Sequence, residues 1–145
     1  CHFVDQARFL LGSNIASVSA AAALTGGACD DLTATLNFGD GSLATIAYTA
    51  KGDTAFSKEL VECYGAGTVV TIDNFLKYTL AADGRLKRFG AGLDQDKGHK
   101  AELAAFTKAV ATGGPAPVSE AELVEVSLAT LAIAESLRSG APVSL

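Results

Sequence analysis

The sequence predicts an α+β fold in which a largely antiparallel, mixed, open-faced β-sheet carries helices on one face. The strongest observation is the complete alternation of apolar and short polar residues at 31–38, which is the pattern of a half-buried strand. Other short segments with a strand-like pattern lie close to it along the chain and are joined by brief turns. Helical spacing is confined to the two ends of the chain, and this segregation of helices from strands favours an α+β layer.

The predicted strands form a meander of about seven short segments. Gly39-Asp40-Gly41 supplies the tight hairpin turn between the second and the third. The sheet is predicted to end at the glycines of Gly90-Ala91-Gly92. The segments span residues 15–23, 31–38, 42–50, 58–64, 68–72, 75–81 and 85–89.

Two helices are predicted from apolar spacing alone. The first covers residues 1–12 and stops at Gly12. The second covers residues 97–111, and one stripe along it is predicted to be buried. That stripe consists of His99, Leu103, Phe106 and Val110.

A third helix is predicted to begin after Ser119, because Ser119 and Glu122 have the spacing of a capping box. One face of this helix is predicted to cover the sheet. That face consists of Leu123, Val126, Leu131 and Ala134. A sheet of this size cannot leave a broad apolar face in water, so its other face is predicted to be an interface of a homo-oligomer.

Composition limits the class of protein. A chain of 145 residues that is 49% hydrophobic can bury one good core, so a single domain over residues 1–145 is predicted. Eleven basic and sixteen acidic residues give a net charge of -5 without a basic run, so nucleic acid and anionic membranes are poor partners. We also see no segment that could cross a membrane and no signal peptide.

The cysteines favour a reducing compartment. Cys1, Cys29 and Cys63 are odd in number, widely spaced and without a CxxC pair, which argues against a disulfide framework and against a zinc site. We therefore expect a cytoplasmic protein without a metal centre. A chain that contains no methionine and opens on Cys1 at a helix start is interpreted as the C-terminal part of a longer protein.

One glycine cluster has the beginning of a phosphate-binding motif. Gly65-Ala66-Gly67 resembles the start of a dinucleotide fingerprint, but Val70 stands where the third glycine belongs and a strand follows instead of a helix. The cluster is interpreted as a turn.

His2 is the main candidate for chemistry. His2 and Asp5 lie three residues apart in the first turn of the first helix, so their side chains can face one cleft. Imidazole can accept or donate a proton near neutral pH, but a histidine in a first turn is also common as a capping or surface residue. The residues alone leave both interpretations open.

A family resemblance bears on this choice. Residues 1–12, CHFVDQARFLLG, are similar to the helix that opens the C-terminal domain of the glucose-fructose oxidoreductase, inositol dehydrogenase and rhizopine-catabolism (Gfo/Idh/MocA) family, which carries a histidine followed three residues later by aspartate. Residues 36–48, 62–73, 96–106 and 134–140 resemble the family in the same order. The DKGH segment at 96–99 resembles in particular the bi-domain oxidoreductases.

The resemblance implies a parent enzyme whose Rossmann domain, upstream of Cys1, binds NAD or NADP, while residues 1–145 bind no cofactor and are inactive alone. It implies that His2 transfers the proton while hydride passes between nicotinamide and a sugar, sugar-nucleotide or cyclitol substrate. Asp5 and the loop at 51–58 would contact that substrate, although the loop residues could equally be solvated at a hairpin end. The loop candidates are Lys51, Asp53, Ser57 and Lys58.

A second hypothesis assigns no catalysis to the chain. The sheet could be an assembly or binding module of a redox-inactive relative, with His2 as an ordinary helix-start residue. A GxGxxG motif and an E-K-P lysine upstream of Cys1 would favour the enzyme.

Overall fold

The structure, a computed structural model, describes residues 1–23, 31–90 and 95–145. It confirms an α+β fold, and each predicted strand is present within two residues of its predicted ends. The elements are α1 (His2–Leu11), β1 (Ile15–Ala22), β2 (Leu32–Phe38), β3 (Leu43–Tyr48), β4 (Leu60–Gly65), β5 (Thr68–Asp73), β6 (Lys77–Ala82), β7 (Arg85–Gly90), α2 (His99–Thr112), α3 (Glu120–Ser139) and β8 (Val143–Ser144).

The strands form two four-stranded sheets where the sequence predicted one meander. Sheet 1 has the order β3-β2-β1-β8 and sheet 2 the order β4-β5-β6-β7, and the described pairs are antiparallel. The chain also divides into two compact units, of which the first contains Cys1–Lys51 with Val118–Leu145 and the second Gly52–Pro117. The fourth strand of sheet 1 has only two residues, which is too short to produce a recognisable alternation.

The core of the first unit lies between sheet 1 and its helices. Val18 pairs with Leu36, and Ala34 pairs with Ile46, so these side chains share the face that α1 and α3 cover. The apolar face predicted for the alternating strand consists of Leu32, Ala34, Leu36 and Phe38. The last three are buried, and Leu32 is half-buried. The buried apolar cluster consists of Val4, Ile15, Val18, Leu36, Phe38, Val126, Ala129 and Ala132.

The capping box of α3 is confirmed. The Ser119 hydroxyl accepts from the Glu122 N–H at 3.2 Å, and the Glu122 carboxylate accepts from the Ser119 N–H at 3.0 Å. The bonds from Ser119 hold the pKa of Glu122 below its ordinary value. Both contacts satisfy N–H groups that a helix start otherwise leaves without a partner.

The predicted buried face of α3 is largely wrong. Val126 is buried, but Leu123, Leu131 and Ala134 are exposed. The helix instead buries Ala129, Ala132 and Ser136 beside Val126. Apolar residues surround this helix, so spacing alone does not single out a face, and the small side chains are the ones that let it approach sheet 1 closely.

The predicted buried stripe of α2 is also wrong. All four residues of this stripe are exposed, and α2 buries none of its residues. The stripe consists of His99, Leu103, Phe106 and Val110. Apolar spacing predicts that a helix forms, but burial also needs a surface that covers the stripe.

Ser136 ties α3 to the edge of sheet 1. It is 1% exposed, accepts from the Ala20 N–H at 2.9 Å and donates to the Ala141 carbonyl at 2.8 Å. Among the described residues, β8 pairs with Ser17 and Val18 of β1 only. The Ser136 hydroxyl therefore accepts from the Ala20 N–H, which lies just beyond the end of β8.

We expect Ser136→Ala to lower the free energy of unfolding by about 1–3 kcal/mol, because it removes a buried hydroxyl and leaves the Ala20 N–H and the Ala141 carbonyl, both in part-buried bonds, without this partner. Urea unfolding followed by circular dichroism measures this loss. Ser127→Ala is the matched control, since Ser127 lies exposed on the same helix and donates only to the Leu123 carbonyl. Equal losses in the two variants would refute the role of Ser136.

Candidate functional site

One carboxylate positions the helix that carries His2. Glu125 of α3 accepts from the Ile15 N–H at 2.5 Å and from Arg8 Nε at 3.1 Å. Arg8 also donates to the Asn14 side chain at 3.1 Å. Helix α1 then ends at Gly12, where φ is 66° and the N–H bonds the Arg8 carbonyl. These contacts fix α1 against α3 and the start of β1.

The other end of α1 presents His2 beside the end of β3. His2 is exposed, and its ring lies edge-on to Phe3 with 5.1 Å between centroids. The Phe3 ring in turn lies 6.3 Å from the ring of Tyr48, the last residue of β3. Asp5 is exposed in the same first turn. An imidazole, a carboxylate and a phenol therefore lie at one end of sheet 1.

A charged cluster follows directly after β3. The Asp31 carboxylate accepts from Lys51 Nζ at 2.7 Å, from the Thr49 hydroxyl at 2.7 Å and from the Ala50 N–H at 3.1 Å. The bond from Lys51, with support from Thr49, lowers the pKa of Asp31 from 3.8 to about 2. Asp31 therefore stays ionised and holds the Lys51 ammonium near the end of the strand.

The remaining predicted site residues belong to the second unit. The Asp53 carboxylate accepts from the Ala55 N–H at 2.8 Å and its carbonyl from the Phe56 N–H at 3.1 Å, which makes Asp53 the first residue of a turn. Ser57 is half-buried and Lys58 exposed. The structure thus places His2 and Asp5 in the same turn of α1. The proton-transfer role of His2 and the substrate contacts of the other five candidates stay predictions.

The second unit contains another ion pair, formed by the DKGH segment. Lys97 Nζ lies 2.7 Å from the buried Glu59 carboxylate and 5.7 Å from the Phe75 ring centroid. Phe75 has φ of 54°, an unusual conformation for a bulky residue. Gln95 donates to the neighbouring Asn74 carbonyl at 2.7 Å. The segment therefore braces the strained turn between β5 and β6.

Sequence reasoning missed Tyr48 and Asp31. Tyr48 shares the period of Ala44 and Ile46, and its position at the end of an alternating strand was the available signal. Asp31 stands just before β2, where only the fold shows that it meets Lys51. The Tyr48 hydroxyl and the Asp31–Lys51 pair can form hydrogen bonds with a hydroxyl-rich ligand. The His2 imidazole can exchange a proton with such a ligand.

The described strands do not form a Rossmann-type unit. Within 1–23, 31–90 and 95–145 the strand pairs are antiparallel, whereas the Rossmann dinucleotide site is built on parallel strands joined by a helix. Gly65-Ala66-Gly67 forms part of the hairpin turn between β4 and β5, with φ of 48° at Ala66, as interpreted from the sequence.

Residues 1–23, 31–90 and 95–145 contain neither a metal-binding cluster nor a membrane-spanning helix. No group of three or more His, Cys, Asp or Glu side chains there is arranged to hold a metal ion. None of the described helices is both long and apolar enough to span a bilayer. Cys1 and Cys63 are free thiols, whereas Cys29 and the turn at 91–92 lie outside the described residues.

The family assignment comes from a match to a family model. Residues 1–72 match the model of the GFO/IDH/MocA C-terminal domain. These residues belong to the Gfo/Idh/MocA family. The matched range contains α1, with its histidine and aspartate, and the whole of β1 to β3.

Solved structures share the fold of the chain. An oxidoreductase from Agrobacterium radiobacter in complex with NAD+, L-tartaric acid and magnesium has a TM-score of 0.82 at 18% identity, over 99% of this chain and 46% of that one. An aldose-aldose oxidoreductase from Caulobacter crescentus complexed with glycerol has the same score and identity, over 99% and 45%. A levoglucosan dehydrogenase in complex with NADH and levoglucosan again has 0.82 and 18%, over 99% and 48%.

The present chain therefore spans slightly less than half the length of these structures. No curated protein matches it. At this identity the likeness establishes the fold, and the activity of the whole protein is a matter of proposal.

We expect the Asp31 carboxyl to titrate at about pH 2 instead of 3.8. Because the folded-state pKa is lowered, the stabilisation is complete above pH 3.8 and is lost as the pH falls towards 2. Carbon-detected NMR titration measures the midpoint of this titration.

Lys51→Met should raise the midpoint, since Lys51 is the largest cause of the pKa shift of Asp31. Lys58→Met, which changes an exposed lysine, should leave it in place; an unchanged midpoint in Lys51→Met would contradict the pairing.

Proposed function

We propose that this chain is the substrate-side and oligomerisation domain of an NAD(P)-dependent oxidoreductase that acts on a sugar, a sugar-nucleotide or a cyclitol. Membership of the family supports an oxidoreductase parent. The similar structures include a levoglucosan dehydrogenase with NADH and levoglucosan and a UDP-N-acetylglucosamine 3-dehydrogenase from Acidithiobacillus ferrooxidans, which supports a carbohydrate substrate. The cysteine pattern supports a cytoplasmic location.

The observation that carries the proposal is the exposed His2 ring on an anchored helix. His2 stands beside Phe3 and Tyr48, and the Glu125 carboxylate holds the same helix to the core. A proton-transfer group must be accessible to a ligand and held in place at the same time. His2 meets both requirements.

In the proposed reaction a ring nitrogen of His2 takes the hydroxyl proton of the substrate. Nicotinamide bound by another domain of the parent would supply the acceptor for the hydride of the carbon that carries this hydroxyl group. Asp5, Lys51, Asp53, Ser57 and Lys58 would form hydrogen bonds with the other hydroxyl groups. Lys51 would do so while it remains held by Asp31.

An assembly module without catalysis is the second candidate. It is favoured by the large apolar side chains that sheet 2 leaves exposed, among them Leu60, Tyr64 and Leu86, which are 56%, 70% and 53% exposed. In that case His2 would only begin α1. The two candidates differ in whether the His2 side chain affects turnover.

In the full-length protein, we expect His2→Ala to lower kcat by about 10²- to 10⁴-fold with little change in the affinity for the dinucleotide, because the imidazole acts on the proton and the dinucleotide binds elsewhere. Oxidation of levoglucosan, glucose and inositol with NAD+ or NADP+ provides the assay.

His2→Asn is the stricter variant, because it keeps a hydrogen-bonding side chain that cannot take up a proton near neutral pH. The matched control is His99→Asn, which changes the exposed histidine of α2. If the parent is active and His2→Asn keeps the kcat of the control, His2 is a helix-start residue and the assignment fails.

We expect the isolated chain to bind neither NAD(H) nor NADP(H) measurably, because its described strands offer no parallel unit for the pyrophosphate. Calorimetric titration at millimolar dinucleotide tests this. The full-length protein is the positive control. Micromolar binding by the isolated chain would place part of the cofactor site within these residues and overturn the assignment of domains.

A further inference from the structure

The face of α1 that is turned away from the core of the first unit carries His2, Asp5 and Phe9. Successive helix positions are about 100° apart around the axis, so Asp5 lies about 60° and Phe9 about 20° from His2. All three residues are exposed. Val4, which lies about 160° from His2, is buried. We call His2, Asp5 and Phe9, which follow one another along the helix, the outer row.

Phe9 is the apolar member of the outer row. Its side chain is 82% exposed, whereas the other two members are polar. Contacts inside the first unit use other faces of α1. Ala7 packs against the core cluster, and Arg8 donates to Glu125 and Asn14. The Phe9 ring is therefore accessible to a ligand on the same face as the residue proposed to transfer the proton.

The outer row is long compared with a single sugar. A helix rises about 1.5 Å per residue, so His2 and Phe9 are about 10 Å apart along the axis, with Asp5 between them. One sugar ring whose hydroxyl contacts His2 does not extend that far. A second ring joined to the first would reach Phe9.

We infer that Phe9 forms a second subsite, on which stacks a ring that the substrate carries beyond the sugar oxidised at His2. The inference rests on the proposed function and narrows its substrate to a glycoside with two rings. Stacking on Phe9 removes apolar surface of both partners from water. The second ring can be another sugar or an aromatic aglycone, since both present an apolar face.

The charge of the outer row selects the link between the two rings. Asp5 stands between His2 and Phe9, and Arg8, the only lysine or arginine of α1, is held by Glu125. A pyrophosphate at this place would meet a carboxylate without a cation of the same helix to offset it, and juxtaposed like charges are costly. Hydroxyl groups beside a neutral glycosidic link can instead donate to Asp5. The outer row therefore favours a neutral glycoside over a sugar-nucleotide.

Calorimetric titration of the full-length protein, with NADH or NADPH present, tests the inference without turnover. The probes are the methyl, p-nitrophenyl and uridine-diphosphate derivatives of glucose, galactose and N-acetylglucosamine, in both anomers where they exist, together with cellobiose and lactose. For at least one sugar, a p-nitrophenyl glycoside or a disaccharide should bind at least about fivefold more tightly than the methyl glycoside. It should also bind more tightly than the uridine-diphosphate sugar. Tighter binding of the disaccharide identifies the second ring as a sugar, and tighter binding of the p-nitrophenyl glycoside identifies it as an aromatic group.

Phe9→Ala should remove this preference, so that the Kd values of the methyl and two-ring glycosides become similar. Phe9→Tyr should keep it, because the aromatic face remains. Leu43→Ala is the matched control, since Leu43 is another exposed large apolar side chain of the first unit and lies at the start of β3. It should leave the preference unchanged. Circular dichroism of each variant checks the fold.

Asp5→Asn tests the role of charge. The change removes the negative charge but keeps a side chain of similar size that can form hydrogen bonds. The difference in Kd between the uridine-diphosphate sugar and the neutral two-ring glycoside should shrink by at least about threefold. An unchanged difference would show that Asp5 does not select the neutral link.

The inference is overturned if no two-ring glycoside binds more tightly than its methyl counterpart, which includes the case of no binding at all. It is also overturned if Phe9→Ala weakens methyl and two-ring glycosides equally or lowers the affinity for the dinucleotide, because Phe9 then packs against another part of the protein. A uridine-diphosphate sugar that binds most tightly would contradict the neutral link.

These results are independent of catalysis, because they are measured by binding. If His2→Asn keeps full turnover while the Phe9 variants behave as expected, the proton-transfer proposal fails and the second subsite stands. If His2→Asn abolishes turnover and the Phe9 variants bind like the parent sequence, the subsite fails and the proton-transfer proposal stands.

Discussion

The Glu125 carboxylate is the constraint on which the geometry of the first unit depends. It joins α3 to the start of β1 through the Ile15 N–H and to α1 through Arg8. The side chains of Arg8 and Glu125 are only 13% and 18% exposed. Little water can therefore take the place of either charged partner if the other is removed. Helix α1 buries only Val4, and its apolar contact with the core is therefore small. The charged contact decides where α1 lies, and with it His2.

The same helix α3 provides a close and rigid support for sheet 1. Ala129 and Ala132 bring the helix near the sheet, and Ser136 satisfies the edge of β1 that the short β8 leaves uncovered. Close packing of small side chains transmits position well, because little space remains for either element to shift. The end of β3, with Tyr48 and the Asp31–Lys51 pair, is thereby held beside the first turn of α1.

Local patterns predicted the local structure. The alternation at 31–38, the hairpin glycines and the capping box at Ser119 each depend on residues that are near one another in the chain, and each was confirmed. Long-range contacts were out of reach. Glu125 and Ile15 are 110 residues apart, and nothing in either neighbourhood indicates that they meet.

Errors arose where a pattern fitted more than one packing. The spacing of Leu123 and Leu131 describes a helix face as well as that of Ala129 and Ser136 does, and size decided between them. The apolar stripe predicted correctly that α2 is a helix, but the stripe is exposed where burial was predicted. For the site, the sequence predicted His2 and Asp5 as candidates, while the positions of Tyr48 and Asp31 beside them became visible only once the strands were paired.

We propose that His2 receives the proton of a substrate hydroxyl. A crystal structure of the full-length protein with its dinucleotide and a bound sugar tests this most directly, through the distance from the His2 ring to the nearest ligand hydroxyl. We expect a ring nitrogen within about 3 Å of the hydroxyl whose carbon faces the nicotinamide. A His2 ring with no ligand hydroxyl within about 6 Å, in a complex that is otherwise closed and ordered, would contradict it.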